Sequence, residues 1–388
     1  LPLGISFYVF TAIGYCADVA AGRVAPEKSP FRFAVFLAFF GHGPSGPIVR
    51  YGQQAPQLDP CGQARCVSAD RFCYGIKRLV LGLAKKAIIA DQLALIYAKV
   101  AAVPASTLPA PILVLGYTAY MMQLYFDFSG YSDMAIGIGE FFGITLPENF
   151  DYPYMSKSIT EFWRRWHISL GAWMRDYVFY PFALSRPVSR LAKAAKGRFG
   201  AAFARALPAA LGNILVFALV GVWHGATSNY ILWGLYNGVI LAVTALLEPQ
   251  YKRMNERCAR LTATRGFHAF RVLRTFVIVN IGWFFDRCAT ASDAVRMMGG
   301  VFARPEWAQV RLDNLGISSL DARILAVGIL LLAAVSLLGE NGKDVRGWLA
   351  SRALPIRWAA MLAGTIVVLL LGVWGSGFSE ASFIYFNF

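Results

Sequence analysis

The sequence predicts an all-α protein that crosses a membrane several times, and three observations carry that prediction. Of its 388 residues, 57% are apolar and only 15% are charged, against roughly 45–50% and roughly 25% in an ordinary soluble domain. The run Ala206–Leu247 contains no Asp, Glu, Lys or Arg over 42 residues, enough for two spans of about 20 residues each. The loops between apolar runs alternate between basic and balanced, the pattern that orients membrane helices. This composition excludes a disordered chain, a disulfide-rich secreted module and a coiled coil. The net charge of +15 sits in short clusters between apolar runs. It therefore reads as cytoplasmic anchoring beside membrane lipid, and no nucleic-acid partner is expected.

Taken in order, Leu1–Ala17 and Phe33–Val49 are uncharged runs of marginal length. Such runs read as tilted or re-entrant pieces, which bilayers tolerate only when protein shields the backbone. The Gly/Pro-rich stretch Gly41–Arg50, GHGPSGPIVR, breaks the second run, and its His42 reads as structural. Cys61, Cys66 and Cys73 include no C-x-x-C pair, so they are expected as free thiols in a reducing loop and not as a zinc site. In the uncharged run Val100–Phe126 the Pro-rich front half is expected to be a loop.

The segment Tyr120–Gly143 places Asp127 and Asp133 in an otherwise apolar stretch. Asp127 and Tyr131 are four apart and share a helix face. Two readings stand: the carboxylates orient a histidine or a substrate hydroxyl, or Asp127 and Ser129 cap a helix at a break in the span.

The densest segment is 156–181, SKSITEFWRRWHISLGAWMRDYVFYP. Ser158 and Glu161 form a capping box that starts a helix, and Pro181 is where it should stop. Trp163, Trp166, His167, Leu170, Trp173, Met174 and Tyr177 recur at helical spacing on one aromatic face. Arg164, Arg165, Arg175 and Asp176 fall away from that face. One amphipathic helix of about 22 residues is predicted. It is either interfacial, with a tryptophan belt and a wet His167 at the headgroups, or re-entrant, with His167 acting on substrate.

The run 206–247 is predicted to be a double span turning near Gly225–Asn229, with Trp223 and His224 at its middle. An ionisable residue at membrane depth is a functional candidate by default, and a neutral imidazole can take a proton as a general base. The competing reading is a core histidine bonded to a neighbouring helix carbonyl. Shorter uncharged runs, Thr275–Phe285 and Ile324–Gly339, are followed by a longer one, Trp358–Ser379.

Charge then orients the chain. Six basic residues and no acid lie in 185–205, and seven against one acid in 252–274. The stretch 340–357 is basic again, whereas 286–323 is balanced, five Arg against five acids. The first three loops are therefore expected on the cytoplasmic side and 286–323 on the outer side. The sequence has no G-x-S-x-G elbow, phosphate-binding G-x-x-x-x-G-K-[ST] loop or H-E-x-x-H helix. This leaves any catalysis to isolated histidines, without a metal.

Eight segments are recognisable together: LPLGISFY at 1–8, GPIVRY at 46–51, LGLAKKAIIAD at 81–91, YFDFSGYSDMAIGIG at 125–139, ENFDYPY at 148–154, FWRRWHISLGAWMRDYVF at 162–179, VWHG at 222–225 and FIYFNF at 383–388. In content and order they resemble the membrane-bound O-acyltransferase (MBOAT) family, closest to its bacterial alginate O-acetyltransferase-like branch. The resemblance implies one transmembrane domain over 1–388, a ring of tilted and re-entrant helices around a tunnel, with further helices ahead of residue 1. It implies that His224 of VWHG is catalytic and that His167 of RRWH orients the donor or stabilises an oxyanion. It places Trp223, Asp127, Tyr131, Trp163, Arg164, Arg165 and Trp166 along the substrate path.

The implied activity moves an acetyl group from a cytoplasmic thioester, acetyl-coenzyme A or another, across a bacterial inner (plasma) membrane to an exopolysaccharide, with no bound cofactor. The implied partners are an extracytoplasmic polysaccharide acetyltransferase subunit, a polysaccharide synthase complex, or both. The alternatives are a D-alanyl transfer protein of teichoic-acid modification, in the same family, and a His-lined transporter or channel. The sequence departs from the branch at FYPFALSRPVSR, at GHGPS and at the insert CGQARCVSADRFC.

Overall fold

The computed structural model describes residues 4–43, 45–59, 67–103, 108–288, 290–303 and 318–372. Cys61, Cys66, the segment 383–388 and much of the expected outer loop lie outside them. All regular elements among the described residues are helical. The first stretch forms α1 (Ile5–Ala20), α2 (Pro30–Leu37), α3 (Tyr51–Leu58), α4 (Ala69–Leu83), α5 (Asp91–Ala101) and α6 (Ala110–Phe141). Then come α7 (Ile159–Arg165), α8 (Ile168–Met174), α9 (Tyr180–Ala183), α10 (Arg186–His224), α11 (Ser228–Leu246), α12 (Glu248–Arg257), α13 (Ala259–Thr262), α14 (Arg265–Arg287) and α15 (Ala291–Ala303). The last three are α16 (Ser319–Glu340), α17 (Val345–Ala350) and α18 (Leu354–Leu371).

Four of these helices, α10, α11, α16 and α18, are long and apolar enough to cross a membrane. Together with the wholly helical build, they make the chain an all-α, multi-spanning membrane protein. The run 206–247 lies in two candidate spans, α10 and α11, and the turn between them falls at residues 225–227. The chain divides into two compact units, Leu1–Tyr152 with Ala303–Phe388, and Pro153–Phe302, where the sequence pointed to one domain.

In the first unit α4 and α6 pack antiparallel along two seams that repeat every seven residues. On one seam are glycines: a Cβ on Gly75 would lie 2.5 Å from the Gly137 carbonyl, and one on Gly82 2.5 Å from the Gly130 carbonyl. Small residues let helix backbones approach this closely, the usual device between membrane helices. On the other seam are charges: Arg71 to Glu140 at 2.6 Å, Arg78 to Asp133 at 2.5 Å and Lys85 to Asp133 at 2.6 Å. Beyond α4, residues Ala84–Ala90 form a π-helical turn, which re-aims side chains relative to α-helical spacing. Two consecutive lysines thereby both reach acids of α6, Lys86 pairing with Asp127 at 2.9 Å and with Asp91 at 2.8 Å.

This corrects the reading of Asp127 and Ser129 as a cap. α6 runs unbroken through Asp127 and Ser129, so neither caps a break, and each carboxylate is a counter-ion for a cation from α4 or the π turn. Replacing Gly82 by Ala is expected to cost about 1–3 kcal/mol through overpacking of the seam, read as a lower melting temperature in detergent. A melting temperature equal to wild type would refute the close contact.

The apolar core of this unit gathers Ile88, Ile89, Leu93, Ile96, Ala119 and Phe126, covered by Leu325 of α16 and Val368 of α18. The opposite faces of α16 and α18 expose Leu330, Leu331, Leu369 and Leu370. Water would penalise such a surface and lipid does not. The run Gly41–Arg50 is a broken segment, as expected. A 3₁₀ turn at Phe40–His42 follows α2, and buried His42 bonds Gln54 between the edges of Phe36 and Phe39.

Contacts of basic loop residues hold the ends of two of the loops expected on the cytoplasmic side. In the first unit Arg357 reaches Asp70 at 4.0 Å and Arg346 reaches Glu148 at 3.9 Å. In the second, Arg274 donates to the Lys157 carbonyl at 3.0 Å. Single cysteines at Ser189, Ala259 and Lys343 in a cysteine-free background are expected to be shielded from an impermeant thiol reagent in intact cells, and one at Ser318 to label. Labelling at 189 without labelling at 318 would invert the orientation.

Candidate active site

The second unit carries His167 and His224. The capping box at Ser158 forms nearly as written. The Glu161 amide donates to Ser158 Oγ (3.2 Å), while the Glu161 carboxylate accepts from the Lys157 amide (2.8 Å), one residue ahead of the cap. The helix it starts does not continue to Pro181. It closes at Arg165, Trp166 is extended, and His167 adopts φ 46°, ψ 55°. The chain then re-enters helix as α8, passes through a π turn at Arg175–Phe179 and ends in α9. The single amphipathic helix of 156–181 is therefore corrected to a broken one, hinged on His167.

The reason the sequence concealed this is physical. Side-chain periodicity survives a break between two short helices, and left-handed backbone at a non-glycine residue leaves no mark on hydropathy. Histidine is among the non-glycine types enriched in that conformation. A residue held there is strained and tends to occur at functional sites.

The aromatic face is not laid on a surface. Phe162, Trp166, His167, Leu170, Trp173 and Met174 are all buried, His167 at 5% exposure. The wet, interfacial His167 is thereby excluded.

His224 closes α10 as its last residue and is buried, at 9% exposure. It is positioned by the α10–α11 hairpin, whose backbones meet at glycines. A Cβ on Gly234 would lie 2.3 Å from the Phe217 carbonyl, and one on Gly221 2.6 Å from the Tyr230 carbonyl. A Cβ on Gly225 would lie 2.5 Å from the Tyr230 ring, so only glycine fits immediately after the histidine.

Around the His224 imidazole stand Trp223 (ring centroids 4.8 Å apart), Trp233 (4.9 Å, edge-on) and Tyr230 (6.0 Å, stacked). Trp233 in turn meets Trp163 at 5.8 Å and Trp283 at 5.7 Å, and Trp283 meets Trp166 at 5.6 Å. Four tryptophans from α7, its C-terminal cap, α11 and α14 thus form one run of ring contacts that ends on His224 through Trp233 and includes Trp166, the residue before His167.

Of the residues expected on a substrate path, His167, His224, Trp163, Trp166 and Trp223 come together here. Arg164 is exposed, and Arg165 is paired with Glu161 at 2.6 Å one helical turn away. Asp127 and Tyr131 belong to the first unit. There Asp127 holds Lys86, and the Tyr131 hydroxyl packs against Gly43, where a Cβ would lie 2.6 Å from it. Trp233 and Trp283 were missed by the sequence reading. Each is one apolar residue inside an uncharged run, and nothing local marks it. Buried Asn229, one turn beyond the VWHG motif, was missed likewise.

Among the described residues no group of His, Cys, Asp or Glu is placed to hold a metal. The chemistry the two buried imidazoles can supply is proton transfer to or from a reacting hydroxyl, and hydrogen bonding to a carbonyl oxygen.

Comparison with known proteins bears on what this enclosure serves. The chain is 38% identical over 334 residues to "Probable alginate O-acetylase AlgI" of Pseudomonas fluorescens, covering 86% of this chain and 60% of that protein. It is 32% identical over 330 residues to the peptidoglycan O-acetyltransferase of Helicobacter pylori, covering 78% and 56%. It is 31% identical over 286 residues to the teichoic acid D-alanyltransferase of Bacillus subtilis, covering 73% and 67%. The chain thus spans about three-fifths of the length of the alginate relative. The family model for membrane-bound O-acyltransferases matches residues 27–282, which include both histidine motifs, and the chain belongs to that family.

Proposed function

We propose that the protein is an inner-membrane O-acetyltransferase that takes acetyl from a cytoplasmic thioester and delivers it for O-acetylation of an exopolysaccharide. The observation that carries this reading is that His167 and His224 are both buried in one unit, with Trp166, Trp283 and Trp233 in ring contact between the two motifs, within a chain of this family. In the proposed reaction His224 accepts the proton of an attacking hydroxyl, whose oxygen bonds to the thioester carbonyl carbon. The tetrahedral intermediate collapses, the carbon–sulfur bond breaks, and the thiolate leaves as the thiol with the proton from His224. His167 orients the donor or hydrogen-bonds the carbonyl oxygen as it gains charge. The dry aromatic wall strengthens such interactions by excluding water.

The family's ring of helices around a tunnel belongs to the same reading, and donor entry from the cytoplasm agrees with the basic loops. The acceptor is a sugar hydroxyl or a residue on an extracytoplasmic acetyltransferase subunit, in concert with a polysaccharide synthase. Acetyl is favoured over D-alanyl by the higher identity and wider coverage of the alginate relative, 38% over 86% of the chain against 31% over 73%.

The test is acyl transfer by the full-length protein in vesicles, given acetyl-coenzyme A or a D-alanyl carrier thioester in turn. Consumption of the acetyl thioester with acetyl appearing on polymer or partner is expected. Use of the D-alanyl donor alone would move the protein to the teichoic-acid branch, and use of neither, with solute flux, would make it a channel.

A further inference from the structure

The first fourteen residues of α10 do not belong to its span. Gly200 interrupts the helix with φ 85°, ψ 169°, a backbone that glycine alone adopts without strain, and a Cβ there would meet nothing within 4 Å. The interruption is thus set by backbone freedom and not by a neighbour. It separates a polar segment, 186–199, from the apolar run that begins at Ala206.

At 100° per residue, Val188, Leu191, Ala192, Ala195 and Phe199 fall on one face of this segment. Arg186, Arg190 and Lys193 fall on the opposite face, and Lys196 and Arg198 at its two edges. The segment contains no acid. Val188 is buried, but Leu191 and Phe199 are 51% and 58% exposed, and Leu184 just ahead of the helix is 76% exposed. The Arg198 guanidinium lies over the Phe199 ring at 5.6 Å.

We propose that residues 186–199 form an interfacial helix docked on anionic phospholipid headgroups, its exposed apolar side chains at the acyl boundary and its basic side chains on the lipid phosphates. Charge complementarity selects the occupant. Five cations without an acid are spread along about 21 Å of helix, and the apolar side chains between them are exposed. A small phosphorylated ligand would need convergent groups in a cleft. A charged sheet with an apolar layer beneath it matches this array along its length, with edge lysines and arginines reaching up from the boundary. Each cation near an anionic surface adds to binding, and salt screens the sum. The inference is independent of the catalytic reading, because it uses no residue of the histidine enclosure.

The test is amide hydrogen exchange of the full chain in nanodiscs of phosphatidylcholine alone and of phosphatidylcholine with about one-third phosphatidylglycerol. Exchange over 188–199 is expected to slow about tenfold or more in the anionic discs, and the slowing to vanish at high salt. It should also vanish in the triple variant Arg190→Gln, Lys193→Gln, Lys196→Gln. Exchange over Ser228–Leu246 should be the same throughout, which reports that the variant is folded, and the salt titration of wild type gives the answer without any variant. Equal exchange over 188–199 in both discs would overturn the proposal. So would slowing in neutral discs that appears only when acetyl-coenzyme A or an acidic carrier protein is added, since the helix would then be a site for that partner.

Discussion

Replacing His224 by Ala is expected to reduce acetyl transfer to polymer by about 10²–10⁴-fold, the contribution of a general base, in a protein that still inserts and folds. The imidazole is the last residue of α10 and lies against Trp223, Trp233 and Tyr230. Its loss therefore removes the one imidazole among these, the group that can accept a proton from a reacting hydroxyl. The helix hairpin that carries it is held by the backbone contacts at Gly221 and Gly234 and is left in place. Because Ala also opens a cavity in an aromatic cluster, His224→Phe serves as a companion that fills the space without a proton acceptor, and it should be equally inactive. The measurement is the transfer rate per folded protein, with membrane insertion and melting temperature followed in parallel. Near wild-type transfer by either variant would remove His224 from the chemistry and return it to a packing role.

Replacing His167 by Ala is expected to cost about 10²–10³-fold in transfer, the loss of one hydrogen-bond donor to a developing oxyanion. Ala confuses two effects here, because His167 sits in left-handed backbone and a Cβ-bearing residue without a local partner is strained there by roughly 1–2 kcal/mol. His167→Gly separates them. Glycine relieves the backbone and carries no donor, so this variant should melt near the wild-type temperature and yet lose the activity. His167→Gln keeps a donor and should retain more activity than Gly despite the worse backbone. Wild-type rates from the glycine variant would show that His167 shapes the hinge between α7 and α8 and does nothing to the donor.

The two variants also probe separate parts of the proposed reaction. A base variant is deficient at every donor concentration, whereas loss of a donor-orienting group weakens use of the thioester as well as the rate. The KM for the donor should therefore rise in the His167 variants and stay near wild type in those of His224.

Whether the chain is helical, spans a membrane and belongs to this family was legible in the sequence, because those properties follow from local quantities. Apolar runs reach the thickness of a bilayer, loops carry or lack cations, and VWHG and RRWH stand as short contiguous words. The helix–turn–helix around residues 225–227, the cap at Ser158 and the broken segment after α2 came from the same kind of reading, one residue against its near neighbours. What the tertiary structure decided was pairing and backbone. That Asp127 and Asp133 pair with Lys86, Arg78 and Lys85, from much earlier in the chain, was decided by the packing of α4 and the π turn on α6. The pairing of Arg165 with Glu161, one helical turn away, likewise came only with the structure. Trp233 and Trp283 became part of the histidine enclosure only when α11 and α14 packed beside α7. The left-handed turn at His167 had no signature at all, since hydropathy records which way side chains face and not the φ of the residue that carries them.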